Sequence, residues 1–199
     1  MDDSREPAPE EYSRVTNPER FRPLHGHALD LLARLEATYD VTRSEAFDPL
    51  PGLMHPFEHA RPPVTLTPVA PSAAPVAVAF TAFPSLVIRY GRWHAVPLPS
   101  CGCDACGEHA GDQAERLDDV LGKVVAGLFA EEVRIPVFGD ARLYSRFGDG
   151  TPREGLSGEG WTTLPRAVAR RLADSGPRRI QWQPWPRRTR GVSLGVPAV

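Results

Sequence analysis

Apolar residues recur at three- and four-residue steps in three stretches of the chain. Phe21, Leu24, Ala28, Leu31, Leu32, Leu35 and Tyr39 form the first stripe. Leu117, Leu121, Val124, Val125 and Leu128 form the second, and Leu164, Ala167, Val168 and Leu172 the third. That period puts one apolar face on a helix. The first stripe predicts a helix that opens at Asn17-Pro18, with Asn as N-cap and Pro in the first helical position, and closes near Tyr39-Asp40. Before the second stripe, Asp112-x-x-Glu115 has the form of a capping box. Gly176-Pro177 stops the third helix.

Between the stripes the pattern changes to short runs rich in Val, Phe and Ile. Val64 to Thr67, Val76 to Phe83, Leu86 to Tyr90 and Trp93 to Leu98 read as strands. Their short connections imply an antiparallel meander, because a parallel crossover needs about a dozen residues. Val133 to Phe138 and Ala141 to Phe147 read as a hairpin about Gly139-Asp140, and Ile180 and Trp182 mark a last strand. The proline-interrupted stretch 43–61 predicts loop, with a short helix or turn over 54–60. The glycine-rich stretch 148–161 predicts a mobile loop. Strands outnumber helices and adjoin one another. The expected class is α+β, a mainly antiparallel sheet with about three helices packed against it. Residues 1–15 read as a disordered lead-in, 16–188 as one domain and 189–199 as a disordered tail, with order fading after Trp185-Pro186.

The 199 residues carry a net charge of −2, and Pro (22) and Gly (17) are in excess without reaching low complexity. The near-neutral balance conceals an asymmetry. Residues 1–50 hold 6 basic and 11 acidic side chains, while residues 151–199 hold 9 and 3. Lys123 is the single lysine. The Arg-rich end, residues 178–190, interleaves arginines with Trp182 and Trp185. Basic stretches with aromatics can bind anionic ligands or nucleic acid. The pattern fits better with Ile180, Trp182 and Trp185 packing on the core while the arginines offset the acidic front. No nucleic-acid module motif is present, so nucleic acid is not the expected partner; the partner is unknown, and an acidic protein is one the arginines could bind. The longest apolar stretch, Pro75 to Phe83, is far short of the ~20 residues of a membrane span. The N-terminus has no signal-peptide pattern, so the expected compartment is the cytoplasm, with reduced thiols.

All three cysteines fall in Ser100-Cys101-Gly102-Cys103-Asp104-Ala105-Cys106-Gly107-Glu108-His109. The spacing C-x-C-x2-C-x2-H offers Cys101, Cys103, Cys106 and His109 as a Cys3His set, and zinc is the cofactor such a set takes. Gly102 and Gly107 permit the sharp turns that would fold the sulfurs inward. Four ligands from nine residues is cramped, so His94, His55 or His59 is an alternative fourth donor. Two other readings stay open. The thiols can be buried and inert, or Cys103 and Cys106 can act as a C-x-x-C redox pair beside a helix start.

The remaining chemistry is sparse. His25 and His27 are two apart on the first helix and point in different directions. His55-x-x-Glu58-His59 has the form of an inverted zincin motif but lacks its flanking helices. Asp118-Asp119 and Glu131-Glu132 read as solvated helix pairs. Phosphate-binding glycine loops and the G-x-S-x-G elbow are missing, so no catalytic residue is identified.

Glu11 to Phe21 (EYSRVTNPERF), Val78 to Pro84, Gly91-Arg92-Trp93, Pro99 to Cys106 (PSCGCDAC) and Trp182-x-Pro184-Trp185-Pro186-Arg187-Arg188 resemble a family of uncharacterised actinobacterial proteins. The resemblance spans about residues 11–188. It implies a bacterial cytosolic protein with no assigned activity and carries over no catalytic residue. The expected function is a non-enzymatic interaction or regulatory module with a cysteine-rich, zinc-binding loop. The alternatives are a thiol-dependent enzyme using Cys103 and Cys106, or anion binding at the Arg-rich end.

Overall fold

The computed structural model describes residue 12 and residues 14–47, 57–148, 159–174 and 176–189. A 3-10 turn over Pro18–Phe21 leads into α1 (Pro23–Thr38). Five strands follow: β1 (Val41–Ser44), β2 (His59–Pro68), β3 (Val76–Thr81), β4 (Leu86–Tyr90) and β5 (His94–Leu98). They pair antiparallel in sequence order, the expected meander extended by one strand. The central strand β3 is buried at every position and therefore reads as a continuous apolar run, whereas β4 alternates. Phe21, Leu24, Ala28 and Leu32 from the first helical segment meet Leu66, Val78, Phe80 and Ile88 of the sheet.

A second unit of structure follows: α2 (Ala110–Val125), β6 (Phe129–Arg134), β7 (Ala141–Phe147), β8 (Glu159–Leu164), α3 (Arg166–Asp174) and β9 (Arg179–Gln181). Its strands form a separate antiparallel sheet in the order β8-β7-β6-β9. Leu117, Leu121 and Val124 of α2 join the first core. Val133, Ala141 and Leu143 of the second sheet pack with Ala169 and Ala173 of α3 and with Trp93 in a smaller one. The class is α+β and mainly sheet, as the pattern predicts, with two sheets.

Several boundaries differ from expectation, each for a local reason. Asn17 makes no side-chain cap; the chain first takes a 3-10 turn, and α1 proper opens at Pro23. The Asp112/Glu115 capping box does not form, because α2 already begins at Ala110 behind His109 and Asp112 sits inside its first turn. β1 straddles the start of the predicted loop 43–61: only Val41 of its four residues is buried, so no alternation shows. β2 starts at His59 and runs through Pro62-Pro63, with register shifts on either side of Arg61 that accommodate the missing donors. β6 begins at Phe129, and Ile135 onward forms the turn. The predicted loop 148–161 contains the start of β8, and residues 149–158 lie outside the described residues. So do 1–11 and 13 of the predicted lead-in and 190–199 of the tail.

The chain stays docked past Trp185-Pro186, as far as Arg188. Asp40 N–H donates to Pro186 O (2.8 Å) and Arg188 N–H to Thr38 O (3.0 Å). Trp182 and Trp185 are buried in the first core, as their spacing suggested. Glu131-Glu132 is the larger correction. The pair lies on β6, not on a helix, and Glu131 is buried beneath the sheet with four hydrogen-bond donors around its carboxylate. Asp118 and Asp119 do face outward, toward His27 and Lys123.

His25 and His27 separate as expected, His25 inward and His27 near the surface. His25 Nε2–H donates to Ser85 O (2.9 Å), and its ring meets Phe80 edge-on. Burial holds its pKa below the ordinary value, against the opposing pull of the Ser85 carbonyl. The unfolded chain therefore takes up a proton at higher pH than the fold does. Stability from this group is complete above the unfolded value of ~6.5 and falls as pH drops below it toward the folded value. His25→Gln keeps a donor for Ser85 but cannot titrate. The wild type should lose melting temperature relative to this variant between about pH 7 and pH 5. Parallel melting curves across that range would show the histidine to be uninvolved.

Candidate metal centre

The loop from β5 to α2, residues 99–109, brings the three sulfurs together. The thiol sulfurs of Cys101, Cys103 and Cys106 all lie within 4.8 Å of one another. Cys103 Sγ and Cys106 Sγ are 3.3 Å apart. Two sulfurs on one tetrahedral zinc, each ~2.3 Å from it, stand about 3.8 Å apart, so the spacing suits a shared ion. Cys103 is buried, while Cys101 and Cys106 are exposed.

Backbone geometry makes this convergence possible. Gly102 and Gly107 have φ of 84° and 60°. At Gly102 a Cβ would also come 3.0 Å from the Phe83 ring, so the turn needs glycine for both conformation and space. Asp104 to Cys106 make a single 3-10 turn that folds Cys106 back toward Cys103.

Two carboxylates hold the loop in place. Glu108 accepts from the backbone N–H groups of Ser100 (3.0 Å), Cys101 (2.9 Å) and Gly102 (3.0 Å), and from Gln113 Nε2 (3.3 Å). Burial opposes its ionisation, but these N–H groups with Arg116 outweigh that and hold its pKa below the usual carboxylate value. Asp104 accepts from Thr16 N–H (3.0 Å), Thr16 Oγ1 (3.2 Å) and Arg14 Nε (3.3 Å). Arg20 Nη2 donates to Gly102 O (2.9 Å) and Cys103 O (3.1 Å). The segment before α1 is thus a strap around the cysteine loop.

The thiols perturb one another. Hydrogen bonds from Cys101 and then Cys106 favour the Cys103 thiolate and lower its pKa. The Cys106 thiol is pushed up to about 12, chiefly by its hydrogen bond to Cys103 and then by Cys101. Three crowded sulfurs lose one proton readily and resist losing the next. A bound cation reverses that resistance by supplying positive charge to every thiolate.

None of the described histidines joins the three sulfurs in the group of donors within 4.8 Å of one another. His109 is exposed at the N-cap of α2, and the donor group within 4.8 Å holds only the three sulfurs. His94 Nδ1–H is committed to Glu131 (3.0 Å). His59 opens β2, with its ring 5.0 Å from that of Phe57, and so shares no helical face. His55 lies outside the described residues. Spacing alone identified the cysteines. It missed Arg14, Thr16, Arg20 and Glu108, whose only sequence signal is that the first three share a motif, Glu11 to Phe21.

This is an α+β protein whose most distinctive side-chain cluster is a three-cysteine loop able to hold a metal ion. The chain belongs to a family of unknown function, DUF6226, whose model matches residues 2–189. No curated protein and no solved structure matches it. Among the described residues no helix is long and apolar enough to cross a membrane.

Proposed function

We propose that the loop is a structural metal site that takes zinc, in a cytoplasmic, non-enzymatic interaction or regulatory module. The observation that carries this reading is the convergence of three thiols in one strapped loop. Thiolates are soft donors suited to zinc, and zinc prefers a closed four-ligand set when its role is structural. His109, three residues beyond Cys106, is the donor we assign to the fourth position. The loop then ties the segment before α1 to the start of α2.

Metal analysis of untagged protein tests this. About one equivalent of zinc is expected, with a fall in melting temperature of more than ~5 °C on chelation. His109→Ala should weaken zinc affinity at least ~10-fold without abolishing binding. Less than a tenth of an equivalent, with melting unchanged by chelator, overturns the site. An unchanged affinity in His109→Ala overturns only the fourth ligand.

The 3.3 Å contact between Cys103 and Cys106 favours a second reading, dithiol exchange. The thiol with the lowered pKa, Cys103, is the buried one, which restricts its access to a substrate. A Cys103–Cys106 disulfide in the isolated protein, together with absence of zinc, would decide for exchange.

A further inference from the structure

The hairpin between β6 and β7 holds two large apolar side chains out in water. Val137 is 84% exposed and Phe138 is 89% exposed. The turn that carries them is braced. Arg166, the first residue of α3, donates from Nη2 to Pro136 O (2.9 Å) and from Nη1 to Gly139 O (2.8 Å). One guanidinium thus fixes the backbone on both sides of Val137-Phe138. Rigid, adjacent, fully displayed apolar residues have the character of interface anchors.

The outer face of the second sheet continues from this tip. Arg134 stands opposite Arg142, Glu132 opposite both Tyr144 and Arg179, and Ala130 opposite both Arg146 and Gln181. Residues directly opposite in an antiparallel pair share a face. Glu131, Val133 and Leu143 take the other face, into the interior. The outer face holds a concavity of about 240 Å³ lined by Glu132, Arg134, Tyr144, Arg146, Arg179 and Gln181. Its acid, Glu132, is engaged by a two-bond pair with Arg134 (2.7 and 2.9 Å), and Arg134 lies 4.4 Å over the Tyr144 ring. Asp140 on the turn and Glu159, opposite Arg146 on β8, are the other acids of this surface. Arg134, Arg142, Arg146 and Arg179 outnumber these three acids, so the excess charge of the face is positive, within a chain whose net charge is −2.

We propose that this tip and face form a docking surface for an acidic protein segment bearing aliphatic side chains. Its carboxylates meet Arg142, Arg146 and Arg179, and its apolar side chains meet Val137 and Phe138. Geometry favours such a segment over a membrane. Arg146 lies four residues beyond Arg142, about 13 Å along β7 and away from the tip. A flat bilayer that took up the tip end-on would reach only the first row of arginines. A nucleic acid would use the arginines and one ring but would leave Val137 without a role. A segment lying along the strands reaches all of them. The inference rests on the interaction reading above, but not on the metal.

Binding of a labelled peptide of Glu, Asp and Leu, followed by fluorescence anisotropy at low salt, tests it. The comparison probes are the Gln/Asn/Leu peptide of the same pattern, phosphatidylglycerol vesicles and oligo-dT. The acidic peptide should bind and the neutral one should not. Phe138→Ser and Arg179→Glu should each weaken binding at least ~10-fold with melting temperature unchanged. Val137→Ser and Arg142→Glu provide a second pair on the same surface. Failure of the acidic peptide to bind, or binding indifferent to both pairs, overturns the proposal. Tighter binding of vesicles or oligo-dT that depends on Phe138 and Arg179 also overturns it, in favour of that partner. Any of these failures leaves the zinc measurement unaffected.

Discussion

Truncating the chain after Gln181 is expected to unfold it, although this removes only a short, proline-rich tail. Trp182 and Trp185 are 8% and 3% exposed and belong to the first core. The backbone between them joins parts of the fold that are distant in sequence. Trp182 N–H donates to Phe129 O (3.0 Å), Gln183 N–H to Ser72 O (2.9 Å) and Trp185 N–H to Val125 O (2.9 Å). Trp185 Nε1–H donates to Ala74 O (2.8 Å), and its ring meets Tyr39 edge-on. The segment therefore ties the end of α2, the start of β6, the loop before β3 and the end of α1. Removing one buried Trp side chain costs about 3–5 kcal/mol, against a total stability of about 5–15 kcal/mol. Trp185→Ala alone should lower the melting temperature by about 6–20 °C in a chain of this size. Loss of both tryptophans and their backbone bonds exceeds what the fold can spare. The truncated chain should show no cooperative thermal transition by circular dichroism. A cooperative melt within ~5 °C of the full chain would refute the stapling role.

What the sequence made legible follows the range of the interactions involved. The helical stripes were readable because each helix buries one face, and Leu24, Ala28 and Leu32 or Leu117, Leu121 and Val124 do so at the helical period. The meander was readable because β3, β4 and β5 follow one another through short turns. β1 was not, since a four-residue edge strand with one buried side chain carries almost no pattern, and β8 opens inside the glycine-rich stretch, whose composition reads as loop. The spacing of the cysteines marks a candidate ligand set within the eleven residues of one loop, but inert thiols and a redox pair fit the same spacing, and only the folded loop shows the sulfurs converging. The strap that holds them was not. Arg14, Thr16 and Arg20 act on Asp104, Gly102 and Cys103 from more than 80 residues away. Nothing local distinguishes those side chains from ordinary surface groups. Glu131 was misread for the same reason: adjacent carboxylates look solvated until distant donors are brought to one of them.

That misread residue carries the other large expected effect. Glu131 is 1% exposed and stands where three segments meet. Its Oε1 accepts from Arg92 N–H (2.7 Å) and Trp182 Nε1–H (2.9 Å), and its Oε2 from Trp93 N–H (3.1 Å) and His94 Nδ1–H (3.0 Å). The donors come from the β4–β5 turn of the first sheet and from the C-terminal segment, while the carboxylate comes from the second sheet. Gly91 permits the approach. Its φ is 63°, and a Cβ there would stand 2.7 Å from Oε1 and from the Phe129 ring. Glu131→Ala would leave four donors facing a void, two of them backbone N–H groups that cannot turn away. Breaking a buried charged network by removing one partner costs about 3–5 kcal/mol. Glu131→Gln keeps the shape but replaces one accepting oxygen with an amide that donates toward donors, so it should recover only part of that loss. The order of melting temperatures should be wild type, then Gln, then Ala. A double-mutant cycle with Trp182→Phe should return a coupling of about 0.5–3 kcal/mol, because that change deletes one donor and nearly preserves ring packing. If Glu131→Ala melts within ~2 °C of wild type, or the cycle is additive, the two sheets are joined by their apolar contacts alone.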